Sequence, residues 1–295
     1  MRRKGLLIGF FAVSSPLFAG ADAFKFFSFW NSPKVFFFLL AALAGTILIS
    51  TFRLSRRTRI LLQIATFFVL GVLYVLPLGE WTAGFGLHPS PMCIIEKPFM
   101  FLKRSAAVPL IFISLFTLIA LLSVITNKGF CSWACPLGAL QELLYRLPIV
   151  KKQKRTLPFV ITQTIRIALL VLFIVFLFTL GFSLYEYINA FHLLHWQWNW
   201  VLFVPLLLVL SSLFFYRPFC YAVCPMGLAT WIFEQFSFFR VRLDKQACTD
   251  CGQCLKKSPC PTVPAILAQK KLRPDCHACG DCINACAEKA LKFKI

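Results

Sequence analysis

The sequence predicts a helical membrane protein with a small cysteine-rich domain at its C-terminal end. Three observations lead to this fold class. Hydrophobic residues make up 59% of the 295 residues and charged residues only 14%, whereas soluble domains average about 25% charged residues. A short cysteine motif occurs twice beside hydrophobic stretches, and eight of the thirteen cysteines lie between Cys248 and Cys286. A soluble globular enzyme is therefore excluded.

The charge balance points to a membrane surface. The formal net charge is +20, which excludes an acidic soluble carrier. Most basic residues lie beside the hydrophobic stretches, where they favour contact with anionic lipid. We therefore expect membrane lipid as a partner and no nucleic acid.

Six stretches approach the ~20 apolar residues that a helix needs to cross a bilayer. They are residues 5–21, 35–52, 60–79, 105–127, 157–185 and 187–216. In the fifth stretch, we expect the side chain of Arg166 to extend to the headgroups. The first half of the sixth is rich in tyrosine and tryptophan and is typical of an interfacial loop. The first stretch also fits a signal peptide with a small-residue cleavage site at 19–23.

The distribution of basic residues predicts the orientation, because cytoplasmic ends of spans carry the excess of Lys and Arg. Residues 2–4, 53–59 and 128–155 are rich in these residues, and the opposite ends are poor in them. This predicts a multi-pass protein of the bacterial inner (cytoplasmic) membrane with a cytoplasmic C-terminal domain. Cys93 and His192 would then lie outside.

An internal repeat follows two of the predicted spans. The segments Phe130-Cys131-Ser132-Trp133-Ala134-Cys135-Pro136 and Phe219-Cys220-Tyr221-Ala222-Val223-Cys224-Pro225 lie 89 residues apart. We call residues 131–136 the first elbow and residues 220–225 the second elbow. From about residue 60 onward, the chain therefore has two copies of a span, an outer loop, a span and C-x3-C-P. Each proline is expected to break the helix or to begin the next one.

The elbow cysteines are a candidate metal site. Cysteines spaced i, i+4 share one helical face, so two facing elbows would present Cys131, Cys135, Cys220 and Cys224 together. Four thiolates suit a metal ion or an iron–sulfur centre. Two alternatives also fit the sequence: buried cysteines that only pack the C-terminal domain against the membrane domain, and a reversible disulfide, which a reducing cytoplasm disfavours.

The tail, residues 244–295, contains two ferredoxin-like cysteine motifs. The first has Cys248, Cys251, Cys254 and Cys260, and the second has Cys276, Cys279, Cys282 and Cys286. In two-cluster ferredoxins with C-x2-C-x2-C-x3-C-P motifs, the fourth cysteine of each motif ligates the other cluster.

Crossed ligation predicts two [4Fe–4S] clusters in the tail. One is held by Cys248, Cys251, Cys254 and Cys286, and the other by Cys276, Cys279, Cys282 and Cys260. A zinc ribbon is the alternative, but it does not explain two C-x2-C-x2-C runs that each have a trailing cysteine. The first motif has two extra residues before Cys260, and the second lacks the final proline.

These features divide the chain into three parts. Residues 1–58 form an extra N-terminal pair of spans, residues 59–243 a membrane domain with the repeat, and residues 244–295 a small α+β domain with two ferredoxin-like motifs.

From residue 59 onward, the paired elbows and the two tail motifs resemble the NapH-type membrane iron–sulfur proteins, a group that includes MauN, NosR and the CcoG proteins. The resemblance extends to Tyr185-Glu186-Tyr187-Ile188-Asn189. It implies a subunit of a quinol dehydrogenase that transfers electrons between the quinone pool and an iron–sulfur or cytochrome partner.

Glu186, His192 and His195 are candidate residues for a quinol site at the outer interface. A carboxylate or a histidine there could accept quinol protons, and the neighbouring aromatic rings would form the walls of a quinone pocket. An aromatic belt with a solvated glutamate is the alternative, and Gln141, Glu142 and Arg146 are candidates for a site at the inner face.

Two further functions fit the sequence. One is a redox factor for cuprous ions or oxidase assembly, in which the elbow thiolates bind a soft metal. The other is a membrane anchor that relays electrons without a quinone site. No dinucleotide-binding or P-loop signature appears, so oxidation of a nicotinamide cofactor by this chain is disfavoured.

Overall fold

The computed structural model describes residues 26–27, 29–51, 54–73, 90–148, 155–195 and 200–295, and this part of the chain is mostly helical. The helices that precede the tail, in chain order, are α1 Pro33–Ser50, α2 Arg56–Phe67, α3 Pro91–Lys103, α4 Leu110–Thr126, α5 Pro136–Arg146, α6 Phe159–Leu180, α7 Leu184–Ile188, α8 Phe203–Leu210, α9 Pro218–Ala222 and α10 Pro225–Glu234. The shorter turns are Phe29–Asn31, Ala190–His195, Trp200–Leu202 and Ser211–Leu213, of 3-10 type, with π-helical turns at Phe68–Val72 and Phe130–Ala134.

Local sequence signals define several helix ends. Ser32 caps α1, accepting a hydrogen bond from the Val35 amide at 3.4 Å, and Pro33 occupies the first turn. Ser55 caps α2 in the same way. Gly181 ends α6 with φ 76°, a conformation that glycine adopts without steric cost.

Two described helices, α1 and α6, are long and apolar enough to cross a membrane. The apolar segments Leu110–Thr126 and Trp200–Leu213 are shorter. The predicted span and signal peptide within 5–23 lie outside the described residues, as does the end of the stretch 60–79. Six spans therefore stay a prediction.

The predicted outer loop before α4 is largely helical. Residues from Pro91 to Lys103 form α3, and its first turns are buried, with Met92 fully covered and Cys93 4% exposed. The sequence predicts only an outer loop between the two spans here, so this helix was missed. Pro91 occupies the first turn, where its missing amide proton costs nothing.

The tail is a small α+β unit, as the sequence predicts. Strand β1, Arg240–Leu243, pairs antiparallel with β2, Leu291–Lys294, in a register that places Val241 opposite Phe293. The tail helices are α11 Gln253–Lys257, α12 Val263–Leu267 and α13 Asp281–Asn284. The sheet begins at Arg240, four residues before the predicted boundary.

Helix α1 packs against both the first elbow and the tail. Gly45 lies directly against the ring of Trp133, where a side chain would clash. Ile49 and Leu54 join the hydrophobic core of the tail. Helix α1 is therefore part of the packed structure around the cysteines.

The predicted orientation can be tested at two exposed loops. Ala106, between α3 and α4, and Lys271 in the tail are both exposed. We expect an impermeant thiol reagent to label Ala106→Cys in intact cells and Lys271→Cys only after lysis, since the positive-inside rule places the tail in the cytoplasm. The unmodified chain gives the background. Labelling of Lys271→Cys in intact cells would contradict the orientation.

Candidate functional site

The two elbows have the same backbone design. Cys135 precedes α5 and Cys224 precedes α10, with a proline in the first turn of each helix. The Cys135 amide donates to the carbonyl of Phe130, and the Cys224 amide to that of Phe219, both at 2.9 Å. The predicted role of Pro136 and Pro225 as the first residue of a helix is confirmed.

All four elbow cysteines line one cavity. Cys131, Cys135, Cys220 and Cys224 share it with Met226 and His277, among other residues. Its volume is about 20 Å³, close to that of one water position. A multi-iron cluster there would require the thiols to move apart, whereas a single ion would need less rearrangement.

The elbows contact each other through equivalent positions of the repeat. Gln141 in α5 donates to Cys220 Sγ at 3.4 Å. Thr230 in α10, which is 89 residues later, lies 3.9 Å from Cys131 Sγ. Each elbow helix therefore reaches the first cysteine of the other elbow.

Two cations cross between the halves in the same manner. Lys128 and Arg217 each stand three residues before an elbow and have positive φ, 59° and 49°. Lys128 Nζ donates to the carbonyl of Gly227 at 3.0 Å, and Arg217 Nη1 to the carbonyl of Cys131 at 3.0 Å. A positive φ is unusual outside glycine, and here it directs both side chains across the interface.

Glu142 is the first of three buried carboxylates that pair with these two cations; the others are Asp275 and Glu234, which lies 3.6 Å from Lys128 Nζ. Glu142 forms ion pairs with Arg59 at 2.8 Å, with Arg146 at 2.7 Å and with Arg217. Arg59 also lies over the Trp133 ring. Burial opposes ionisation of Glu142, but the surrounding guanidinium groups outweigh it and hold its pKa well below the usual range.

Asp275 is the second buried carboxylate. It pairs with Arg166 at 2.9 Å and with Lys128. Arg166 also donates to the Cys220 carbonyl at 3.0 Å. The prediction that Arg166 extends to the headgroups is therefore wrong: its side chain is fully buried, and its Nε and Nη2 groups donate to elbow carbonyls and to Asp275.

The tail contacts the elbows next to its second motif. Asn127 Nδ2 donates to the Cys276 carbonyl at 3.1 Å, and the Cys276 amide donates to Glu234 Oε1 at 2.8 Å. His277 Nδ1 lies 3.1 Å from the Tyr221 hydroxyl. Because His277 follows Cys276 and also lines the elbow cavity, the second motif adjoins that cavity.

The predicted crossed sets of tail cysteines lie together. Cys248, Cys251, Cys254 and Cys286 line one cavity of about 180 Å³. Cys260 interacts electrostatically with Cys276 and Cys279, and Cys282 with all three. Cys251 is exposed, whereas every cysteine of the second set is buried.

The cysteines of the tail fit iron–sulfur clusters better than a single metal ion. Among the described residues, no three His, Cys, Asp or Glu side chains converge closely enough to hold one metal ion. A cubane holds its thiolates farther apart, because iron and sulfide lie between them. Burial raises the pKa of the Cys279 thiol to about 11 and that of Cys276 to about 12. Cluster binding would therefore release protons.

The outer candidate residues have different environments. Glu186 is exposed and His192 is half-buried, and the His195 side chain lies outside the described part of the chain. The buried carboxyl at this end is Glu96, 3% exposed, which accepts a hydrogen bond from Ser183. The sequence analysis did not single out Glu96. Acidic residues are rare in this chain, which has eleven, and this rarity was the signal that could have pointed to it.

Comparisons with known proteins support the iron–sulfur assignment. A family model described as a 4Fe-4S binding domain matches residues 108–156 and again 196–245. Each matched segment contains one elbow, and both end before the tail cysteines. Two uncharacterized proteins of Methanocaldococcus jannaschii are 30% identical over 183 residues, covering 59% of this chain and 75% of the relative, and 33% identical over 178 residues, covering 58% and 66%.

The ferredoxin-type protein NapH of Haemophilus influenzae is 29% identical over 192 residues, which cover 58% of this chain. The chain belongs to the NapH-type ferredoxin-type membrane iron–sulfur proteins. It spans 63% of that NapH and 66% of one archaeal relative, slightly less than two thirds of either length. No solved structure matches. The family match and the NapH-type features indicate iron–sulfur cofactors in this chain.

Crossed ligation predicts the effect of removing Cys286. We expect Cys286→Ala to abolish the spectroscopic signal of the cluster on Cys248, Cys251 and Cys254, because it removes that cluster's fourth thiolate. Cys260→Ala is the matched variant and should affect the other cluster. Loss in Cys286→Ala that is confined to the cluster on Cys276, Cys279 and Cys282 would contradict the assignment.

Proposed function

We propose that the chain transfers electrons between the quinone pool and a redox partner, most directly by quinol oxidation. Two [4Fe–4S] clusters in the tail and a further metal or iron–sulfur centre at the elbows would supply one-electron transfer. The observation that carries the proposal is the elbow cavity, which all four elbow cysteines and His277 of the second tail motif line together.

The arrangement of the protein supports an ordered relay. The elbow cysteines adjoin the buried second set of tail cysteines, and the first set includes the exposed Cys251. A partner, an iron–sulfur or cytochrome protein, would dock on this exposed side in the cytoplasm. The double match of the 4Fe-4S family model supports the internal repeat that forms the elbow site.

The cavity also connects to segments that the sequence predicts outside. Pro91 at the start of α3 and Phe191 both line it. These segments therefore fold inward toward the cysteines. This supports an electron route from an outer quinol site to the cytoplasmic tail, which would otherwise lack a connection across the membrane domain.

Glu96, Glu186 and His192 are the candidate proton acceptors for quinol. Glu186 lies close enough to interact electrostatically with both other side chains. Ser183 hydrogen-bonds Glu96 and would orient it. His195 stays a candidate from the sequence.

A second function is favoured by the composition of the elbow cavity. Met226 adds a thioether to the four thiols, and thiolate with thioether is the donor set that Cu(I) prefers. Handling of cuprous ions by the elbows is therefore the second candidate function.

Metal analysis tests the elbow centre. Two cubanes contain about eight irons. We expect the purified chain to contain either further iron or copper in addition to these. Cys135→Ala and Cys224→Ala should remove only this excess, because neither residue belongs to the tail sets. Cys93→Ala is the matched control. Eight irons without other metal, unchanged in both elbow variants, would contradict the centre and favour packing.

Quinol-driven reduction tests the outer site. We expect Glu96→Gln, Glu186→Gln and His192→Ala each to slow cluster reduction by quinol, by about a hundredfold where the side chain is the proton acceptor. Reduction by dithionite is the control and should not change. Unchanged rates of cluster reduction by quinol in all three variants would contradict the outer site and favour one at the inner face, near Gln141, Glu142 and Arg146. A chain reduced only through its protein partner would instead be an anchor without a quinone site.

A further inference from the structure

We propose that an open groove between the membrane domain and the tail binds the phosphate headgroup of an anionic phospholipid. The groove has a volume of about 980 Å³ and contains no cysteine among the described residues of its lining, although it adjoins the cavity of the first tail set at Leu255. Its occupant would connect the tail to the bilayer.

Cations from separate parts of the chain converge on this groove. Arg56 begins α2, Arg155 precedes α6, and Lys256 and Lys257 belong to α11 of the tail. All four side chains are exposed. Thr156 and Asn284 add a hydroxyl group and an amide to the same lining.

These four cations lack an acidic partner within the part of the chain that the structure describes. The acid in the groove, Asp281, is held by Arg146 at 2.8 Å. Uncompensated like charges repel one another. A bound phosphate would relieve this repulsion and form charge-assisted hydrogen bonds with the guanidinium groups.

The position of the groove favours a lipid over a soluble phosphate. Arg56 and Arg155 stand at the starts of helices that the sequence predicts to enter the membrane from the cytoplasm, so their side chains lie at headgroup level. Clusters of basic residues at this level attract anionic lipids. Leu255 and Pro259 on the tail side of the lining provide apolar contact for a glycerol backbone.

Lipid retention by the full, iron-loaded chain tests the proposal. We expect native mass spectrometry to detect retained phosphatidylglycerol in preference to phosphatidylcholine. The triple variant Arg155→Gln, Lys256→Gln and Lys257→Gln should lower phosphatidylglycerol affinity on the order of a hundredfold. The matched control, Lys245→Gln with Lys270→Gln and Lys271→Gln, removes the same charge from exposed tail positions outside the groove and should retain the lipid.

Equal loss of phosphatidylglycerol from both triple variants would overturn the proposal, because it would indicate unspecific attraction to positive charge. Undiminished retention of this lipid by the groove variant would also overturn it. Hydrogen exchange of the unmodified chain provides a measurement without substitutions. We expect the amides of α11 to be protected in nanodiscs that contain phosphatidylglycerol and not in phosphatidylcholine alone. Equal protection by inorganic phosphate in detergent would show a soluble anion site and overturn the lipid assignment.

Discussion

The structure depends on two buried carboxylates, Glu142 and Asp275, each of which pairs with cations from distant parts of the chain. Glu142 holds Arg59 and Arg217, and Asp275 holds Arg166 and Lys128. A buried charge is tolerated only when it is paired and hydrogen-bonded. Removal of one partner of such a pair typically costs about 3–5 kcal/mol. The cations therefore have little freedom to leave, and the elbow carbonyls that they bind are fixed with them.

These ion pairs explain how the two copies of the repeat form one cysteine site. Arg217 and Lys128 occupy equivalent positions in the two halves and reach across to the opposite elbow. The crossing places the four elbow thiols around one cavity without any help from a disulfide. Because Asp275 directly precedes Cys276, the same ion pairs position the second tail motif beside that cavity. Cations around anionic thiolate-ligated centres also favour their reduced state.

Motif spacing predicts the two elbows and the two four-cysteine sets of the tail. The structure places the cysteines of each tail set near one another, and their ligation of clusters stays a prediction. Long-range charge pairing could not be predicted, because no local pattern links Arg166 to an aspartate 109 residues away. For the same reason, the burial of Glu96 could not be predicted, because it depends on how α3 folds inward. The contact between α1 and Trp133 could not be predicted either, because it depends on the close packing of Gly45 against the Trp133 ring.

In this proposal, the two copies of the repeat form one four-cysteine centre. A cryo-electron microscopy map of the full chain, purified without oxygen, would reveal such a centre. We expect density that bridges Cys131, Cys135, Cys220 and Cys224, in addition to clusters in the tail. Four thiols packed against one another or against side chains, with no bridging density while the tail clusters are present, would contradict it.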